Sequence, residues 1–233
     1  MIGGRRKGGA DLPGRNRGTV AIGAVPSTGE GEMQKSKGEV RPIFPAGAVV
    51  RYRNEKHEDI PLDGLEFFPN FGSKTESTSQ HRNILKEARF QALAGFLEEC
   101  VKDYLDNVYA YEYEGFEIVH AWVNRAPLGG FQRMHYHGNS VISGVYYLKA
   151  DPNFSAPLMF EKPEMNTQPY IAIATREQTI FTANQVAYPS ETGIAYLFPS
   201  QIKHGYEVPT KGGERISLAF NVMLSGIGLF YRL

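Results

Sequence analysis

Gln132-Arg-Met-His135-Tyr-His137-Gly-Asn-Ser140-Val-Ile-Ser-Gly-Val-Tyr-Tyr147-Leu148 is the stretch on which the fold turns. Side chains two apart on a β-strand share a face, so His135 and His137 aim at one point. The apolar residues after them read as strand. Neutral imidazole suits Fe, Zn, Cu and Ni, so the pair is the start of a metal site. A third ligand must come from elsewhere, and the only later histidine is His204, 67 residues beyond His137. It ends the apolar run Tyr196-Leu-Phe-Pro-Ser200-Gln-Ile-Lys-His204. Two ligands from one strand and one from another leave positions open, the pattern of a catalytic rather than a structural metal. The histidines alone do not choose between iron and zinc.

Eleven residues after His204, Arg215 opens the strand Arg215-Ile-Ser217-Leu-Ala-Phe-Asn221. Alternation puts Arg215 and Ser217 on the face opposite Ile216 and Leu218. An arginine facing a barrel interior needs an anion, because an unpaired buried charge is costly. If Glu207 or Glu214 supplies it, the pair is structural. If a small dicarboxylate supplies it, the guanidinium grips it bidentately with the Ser217 hydroxyl alongside.

Working outward, about eight short strands at hairpin spacing follow Tyr109, without interleaved helices. They run Phe116–Asn124, the histidine strand, 157–161, 178–182, 186–188, 193–198, 205–208 and 215–223, and predict a sandwich or barrel of antiparallel strands. The first alternates with Phe116, Ile118, His120, Trp122 and Asn124 on one side. Before them, Arg82 to about Val108 reads as one long amphipathic helix, with Leu85, Leu93, Leu97, Cys100, Val101, Tyr104 and Leu105 on its apolar stripe. Cys100 on that stripe reads as core packing, not as a nucleophile. Asn54 to Ser79 reads as irregular, punctuated by Pro61, Gly64, Pro69 and Gly72. Ile43-Phe-Pro and 48–53 suggest short strands.

Residues 1–40 differ from the rest. They hold ten of the 25 glycines and few large apolar side chains, and are expected to form a disordered or loosely attached arm. Five basic residues against Asp11 in its first twenty allow a weak tether for nucleic acid or an acidic partner, although a plain solvated tail is the simpler reading. The remainder, 41–233, reads as one domain. Lys plus Arg equals Asp plus Glu at 25 each, so no global field favours nucleic acid or membrane. No apolar run reaches the roughly 18 residues of a membrane span, and no apolar segment follows the basic Arg5-Arg6-Lys7 to make a secretory signal. The single cysteine fits a reducing compartment. These features predict a soluble cytoplasmic protein.

His135-x-His137, Ser143-Gly-Val-Tyr-Tyr-Leu148, Leu197-Phe-Pro-Ser200, His204 and Arg215-Ile-Ser217-Leu-Ala-Phe-Asn221 resemble the 2-oxoglutarate-Fe(II) oxygenases common in marine bacteria and tailed phages. Order and spacing agree at four places, and the resemblance covers roughly residues 41–233. It implies a mainly β fold, the double-stranded β-helix or jelly-roll barrel, with the one long N-terminal helix packed on the sheet. It also implies Fe(II), 2-oxoglutarate and O2 as cofactors and cosubstrates, and a dioxygenase that hydroxylates its substrate with release of succinate and CO2. If the chain is phage-encoded, its site of action would be the host cytoplasm.

Residue by residue, the resemblance implies His135, His137 and His204 as iron ligands, and Arg215 with Ser217 as the grip on the distal carboxylate of 2-oxoglutarate. Asn124 and Tyr146 (or its neighbour Tyr147) are further candidates to touch the cosubstrate. Consecutive tyrosines face opposite sides, so only one of the two lines the site. His137 stands where the broad superfamily has a carboxylate, as it does in the narrower family. The rival readings are a three-histidine zinc hydrolase or hydratase, in which Arg215 has no job, and a non-catalytic jelly-roll binding or virion-associated module. The substrate, a small molecule or a peptidyl group, and a homo-oligomeric state stay open at this stage.

Overall fold

The computed structural model describes residues 47–70, 75–163, 174, 176, 179 and 182–226. The arm expected over 1–40, the strand at 43–45 and most of the strand expected at 178–182 lie outside them. Eleven strands in this part of the chain build two antiparallel sheets. β1 (Val50–Arg53), β2 (Phe67–Pro69), β3 (Ser77–Ser79), β4 (Gly115–Ala126), β6 (Ile142–Lys149), β9 (Ile194–Pro199) and β11 (Arg215–Ser225) form a seven-stranded sheet in the order β1-β9-β6-β11-β4-β3-β2. β5 (Gln132–His135), β7 (Leu158–Glu161), β8 (Gln185–Tyr188) and β10 (His204–Tyr206) form a four-stranded sheet in the order β5-β10-β7-β8. The two sheets make the jelly-roll barrel that the strand count predicts.

The centre of the larger sheet is buried on both faces, which is why β6 reads as almost unbroken apolar sequence. One face meets the smaller sheet through Val145, Tyr147, Leu158, Phe160, Tyr196 and Phe198. The other carries the helical layer, with Leu93, Leu97, Val101 and Leu105 against Ala121, Tyr146, Leu218 and Phe220. Gly144 lets the two strands close up there: a Cβ on it would stand 2.1 Å from the Phe220 ring.

The expected long helix is broken. Two 3-10 turns (Ile84–Lys86 and Ala88–Phe90) precede helix α1 (Gln91–Asp103), and a π-helical turn (Tyr104–Val108) follows it. At the start, the chain is tied to β4, where the Ala121 amide donates to the Arg82 carbonyl. Glu87 is extended (φ −74°, ψ 141°), and its carboxylate holds Arg89 at 2.8 Å and His81 at 3.1 Å. At the end, Ala110 takes a positive φ of 50°, which no helix continues through. The apolar stripe nevertheless packs as expected. Burial pushes the Cys100 thiol up to about 12, in keeping with a core residue rather than a nucleophile.

β4 also departs from its expected alternation. Asn221 pairs with His120 and Val222 with Ile118, so Val119 is an extra residue, a β-bulge. Phe116 and Ile118 therefore pack on the helical side together with Ala121 and Val123, while Trp122 and Asn124 face the other sheet. The bulge is also an anchor: the Asn83 side-chain amide lies against the carbonyls of Arg82 and Val119 (3.0 and 2.9 Å). The stretch 54–79, expected to be irregular, contributes β2 and β3, each only three residues long.

Candidate metal centre and anion pocket

His135 and His137 do not share a strand with the apolar residues after them. His135 ends β5 in the small sheet, the chain turns through Gly138, and β6 begins at Ile142 in the large sheet. His135 and His204 are direct cross-strand partners, the last residue of β5 against the first of β10. His137 comes in from the turn, its amide donating to the Ser200 carbonyl at 2.9 Å. Convergence holds by this route: one potential ligand atom from each of the three histidines lies within 4.8 Å of the others.

The histidines are prepared to ligate. Burial holds His204 down to about 3 and His137 to about 4, and the charge of His135 adds to both effects; burial lowers His135 as well. All three are neutral at neutral pH, the form that a metal takes. The Nδ1 atoms of His135 and His204 donate to the carbonyls of Arg133 and Ile202, each at 2.9 Å. That bond fixes the tautomer and leaves Nε2 with its lone pair free. Nδ1 of His137 faces the Asn221 side-chain amide instead, at 3.4 Å.

Deeper in the same cleft stands Arg215, 2% exposed. It donates to Ser217 Oγ (3.2 Å), Ser190 Oγ (3.3 Å) and the Tyr147 hydroxyl (3.3 Å). Its guanidinium carbon lies 4.1 Å above the Tyr206 ring and 4.9 Å from that of Tyr147. These partners are neutral. Glu214 is taken by Arg125 in a two-pronged pair (2.8 and 3.1 Å), and among the described residues no carboxylate stands at ion-pair distance from Arg215. π faces partly compensate the buried charge, and an anion would complete it.

Two orphaned polar atoms line the same cleft. Asn124 Oδ1 and the Tyr206 hydroxyl are buried without a hydrogen-bond partner among the described residues. Such atoms are rare in folded proteins and mark a place for a bound polar molecule. Arg215 and the Tyr206 hydroxyl can both donate to a small dicarboxylate, whereas Asn124 Oδ1 only accepts and calls for a donor. Of the two tyrosines, it is Tyr147 that faces Arg215. Tyr146 points to the helical side, where its hydroxyl meets His57 Nδ1 (2.6 Å) and Asn54 Nδ2 (3.2 Å), which removes it as a cosubstrate contact. The physical reason is the pleat itself, since Tyr147 shares its face with Val145 and Ser143. Tyr206 and Ser190 were not singled out from the sequence. Tyr206, two residues beyond His204 on one strand, could have been found by the same alternation.

At the rim, Trp122 stands with its ring centroid 6.0 Å from that of His137, and the Arg82 guanidinium lies 5.5 Å from the indole. Arg82 donates to Thr78 Oγ1 at 3.2 Å. Burial lowers its pKa, with no carboxylate raising it.

A jelly roll with three neutral histidines beside a buried, anion-seeking arginine defines a metal-dependent enzyme of the cosubstrate-binding kind. The family model described as "Putative 2OG-Fe(II) oxygenase" matches residues 120–221, the span that holds all three histidines, Asn124, Arg215 and Ser217. Over that span, which is less than half of the chain, it is similar to the 2-oxoglutarate-Fe(II) oxygenases, a family whose cofactors are Fe(II) and 2-oxoglutarate. Solved structures of similar outline include a Pseudomonas putida prolyl-4-hydroxylase (18% identity, 63% of this chain and 68% of that one, TM-score 0.41). A viral collagen prolyl hydroxylase from Paramecium bursaria Chlorella virus-1 is similar at 12% identity (66% and 80% covered, TM-score 0.43). HygX from Streptomyces hygroscopicus, solved with nickel, 2-oxoglutarate and hygromycin B bound, is similar at 11% identity (75% and 82%, TM-score 0.49). No curated protein matches by sequence. No described helix is long and apolar enough to cross a membrane.

Proposed function

We propose that the protein hydroxylates a C–H bond of an organic substrate, coupled to oxidative decarboxylation of 2-oxoglutarate. One oxygen atom of O2 enters the product alcohol and the other enters succinate, while the C1 carboxylate of 2-oxoglutarate leaves as CO2. The iron supplies the oxygen chemistry when bound. The chain's residues bind, orient and exclude. His135, His137 and His204 would hold the ion. Arg215, assisted by Ser217 and Tyr147, would take the far carboxylate, with the Tyr206 hydroxyl and Asn124 amide beside it. The observation that carries this reading is Arg215, a buried cation in the cleft of the histidines whose hydrogen-bond partners are all neutral. A zinc hydrolase gives that arginine nothing to do.

The rim supports a substrate bearing an anionic group. Trp122 offers an apolar wall next to His137, and Arg82 on its ring is a partly desolvated cation with no carboxylate partner among the described residues.

The test is an anaerobic titration of Fe(II)-loaded protein with 2-oxoglutarate, following the visible metal-to-ligand charge-transfer band. The band is expected in wild type, and Arg215→Ala should need at least tenfold more 2-oxoglutarate for half-saturation while keeping its iron. Bound iron without a band would refute the oxygenase reading.

A further inference from the structure

The three histidines are not held alike. His135 and His204 face backbone carbonyls, which only accept, so each Nδ1 must carry the proton. His137 faces the side chain of Asn221, and an amide can present either end. With its NH2 toward the ring, Asn221 donates to Nδ1, and the neutral imidazole then carries its proton on Nε2, closed to a metal. With its oxygen toward the ring, Nδ1–H donates and the Nε2 lone pair is open. The 3.4 Å separation lies beyond the usual range for a donating N–H, so the pair is not tightly closed in this arrangement.

What Asn221 does is tied to a buried chain of hydroxyls. Asn221 Oδ1 lies 2.8 Å from Ser143 Oγ, Ser143 Oγ 2.9 Å from Ser200 Oγ, and Ser200 Oγ 2.9 Å from Ser140 Oγ. All four side chains are at most 5% exposed. A chain of hydroxyls with one hydrogen per link has two directions. In one, Ser140 donates to Ser200, Ser200 to Ser143, and Ser143 to Asn221 Oδ1, so the NH2 faces His137. In the other, Asn221 Nδ2 donates to Ser143 and the order runs outward to Ser140, so the oxygen faces His137. The backbone fastens the same parts together: Asn221 and Ser143 are register partners, and the Ser200 carbonyl accepts the His137 amide.

We propose that Asn221 is a positioning residue for the metal centre: with its oxygen turned to His137 it holds the proton on Nδ1, and the Ser143–Ser200–Ser140 chain reverses direction when metal loads. This rests on the three-histidine site being the metal centre. The substitutions Asn221→Asp and Asn221→Leu separate the roles. Aspartate only accepts and locks the open tautomer. Leucine has similar bulk and cannot accept at all.

The experiment is an anaerobic titration with Co(II), read by its visible ligand-field spectrum, alongside 15N NMR of histidine-labelled protein loaded with Zn(II). Wild type and Asn221→Asp are expected to bind Co(II) within a fewfold of each other, both with His137 protonated at Nδ1 in the Zn(II) form. Asn221→Leu should bind Co(II) ~10–100-fold more weakly, the usual loss for an outer-sphere partner of a metal histidine. Equal affinity in Asn221→Leu, or a loss in Asn221→Asp as large as in leucine, would overturn the assignment. So would a wild-type His137 that carries no Nδ1 proton when loaded. A wild type that binds no Co(II) would instead overturn the metal-centre reading itself, and this proposal with it.

Discussion

Glu76 is a buried carboxyl, 2% exposed, near enough to Arg215 to feel its charge. Burial raises it to about 7, although the Arg215 charge and the Asn70 amide both pull the other way. From the ordinary carboxylate value of 4.5 up to about 7, folded Glu76 retains a proton that the unfolded chain has released. Its contribution to stability is therefore complete at low pH and lost as the pH rises through 7. The depressed histidines work in the opposite sense, costing stability as the pH falls below their ordinary value. Comparing Glu76→Gln with wild type cancels them. The variant should gain on wild type by on the order of 3 kcal/mol between pH 4.5 and 8 in urea melts, and parallel pH profiles would refute this. At this scale the sequence was most legible where chemistry is rare. The three histidines stand out by spacing, while the part given to Arg215 and Ser217 came from the family resemblance. Choosing Tyr147 over Tyr146 required knowing which face of β6 meets the small sheet, and Glu76 sits in a stretch with no period to read.

Elements were legible in kind but not in their irregularities. The apolar stripe from Leu93 to Leu105 forecast a helix packed on a sheet, because a 3.6-residue period survives short breaks. The break at Glu87 and the bulge at Val119 left no such trace, since each depends on ties to another part of the chain. A three-residue strand such as β3 is too short to show alternation. The bulge matters for the site: without it, Trp122 and Asn124 would face the helices. The helix itself acts on stability from the far side of the sheet. Leu97 is fully buried there, and Leu97→Ala should cost about 2–5 kcal/mol. Urea unfolding measures that cost, and Co(II) affinity at the histidines should remain within a fewfold of wild type. A tenfold loss of affinity would show that the helical layer shapes the metal site.

For the molecule as a whole, the placement of β5 has a mechanical consequence. β5 is four residues long and, among the described strands, lies at the edge of the small sheet and pairs with β10 alone. Its last residue, His135, sits opposite the first residue of β10, His204. An ion held by both would close the hem of the barrel like a clasp, joining a short edge strand to the strand that holds it. Bound metal adds to the stability of that seam by mass action, and chelation removes the addition. Amide hydrogen exchange over 132–135 should therefore slow on Zn(II) loading and quicken again with chelator, while the amides of β6 and β11 hardly respond. Uniform rates with and without metal would mean the seam holds itself. A frayed seam opens the wall of the active site, so a metal-starved molecule would lose the shape of its cleft before it lost its fold.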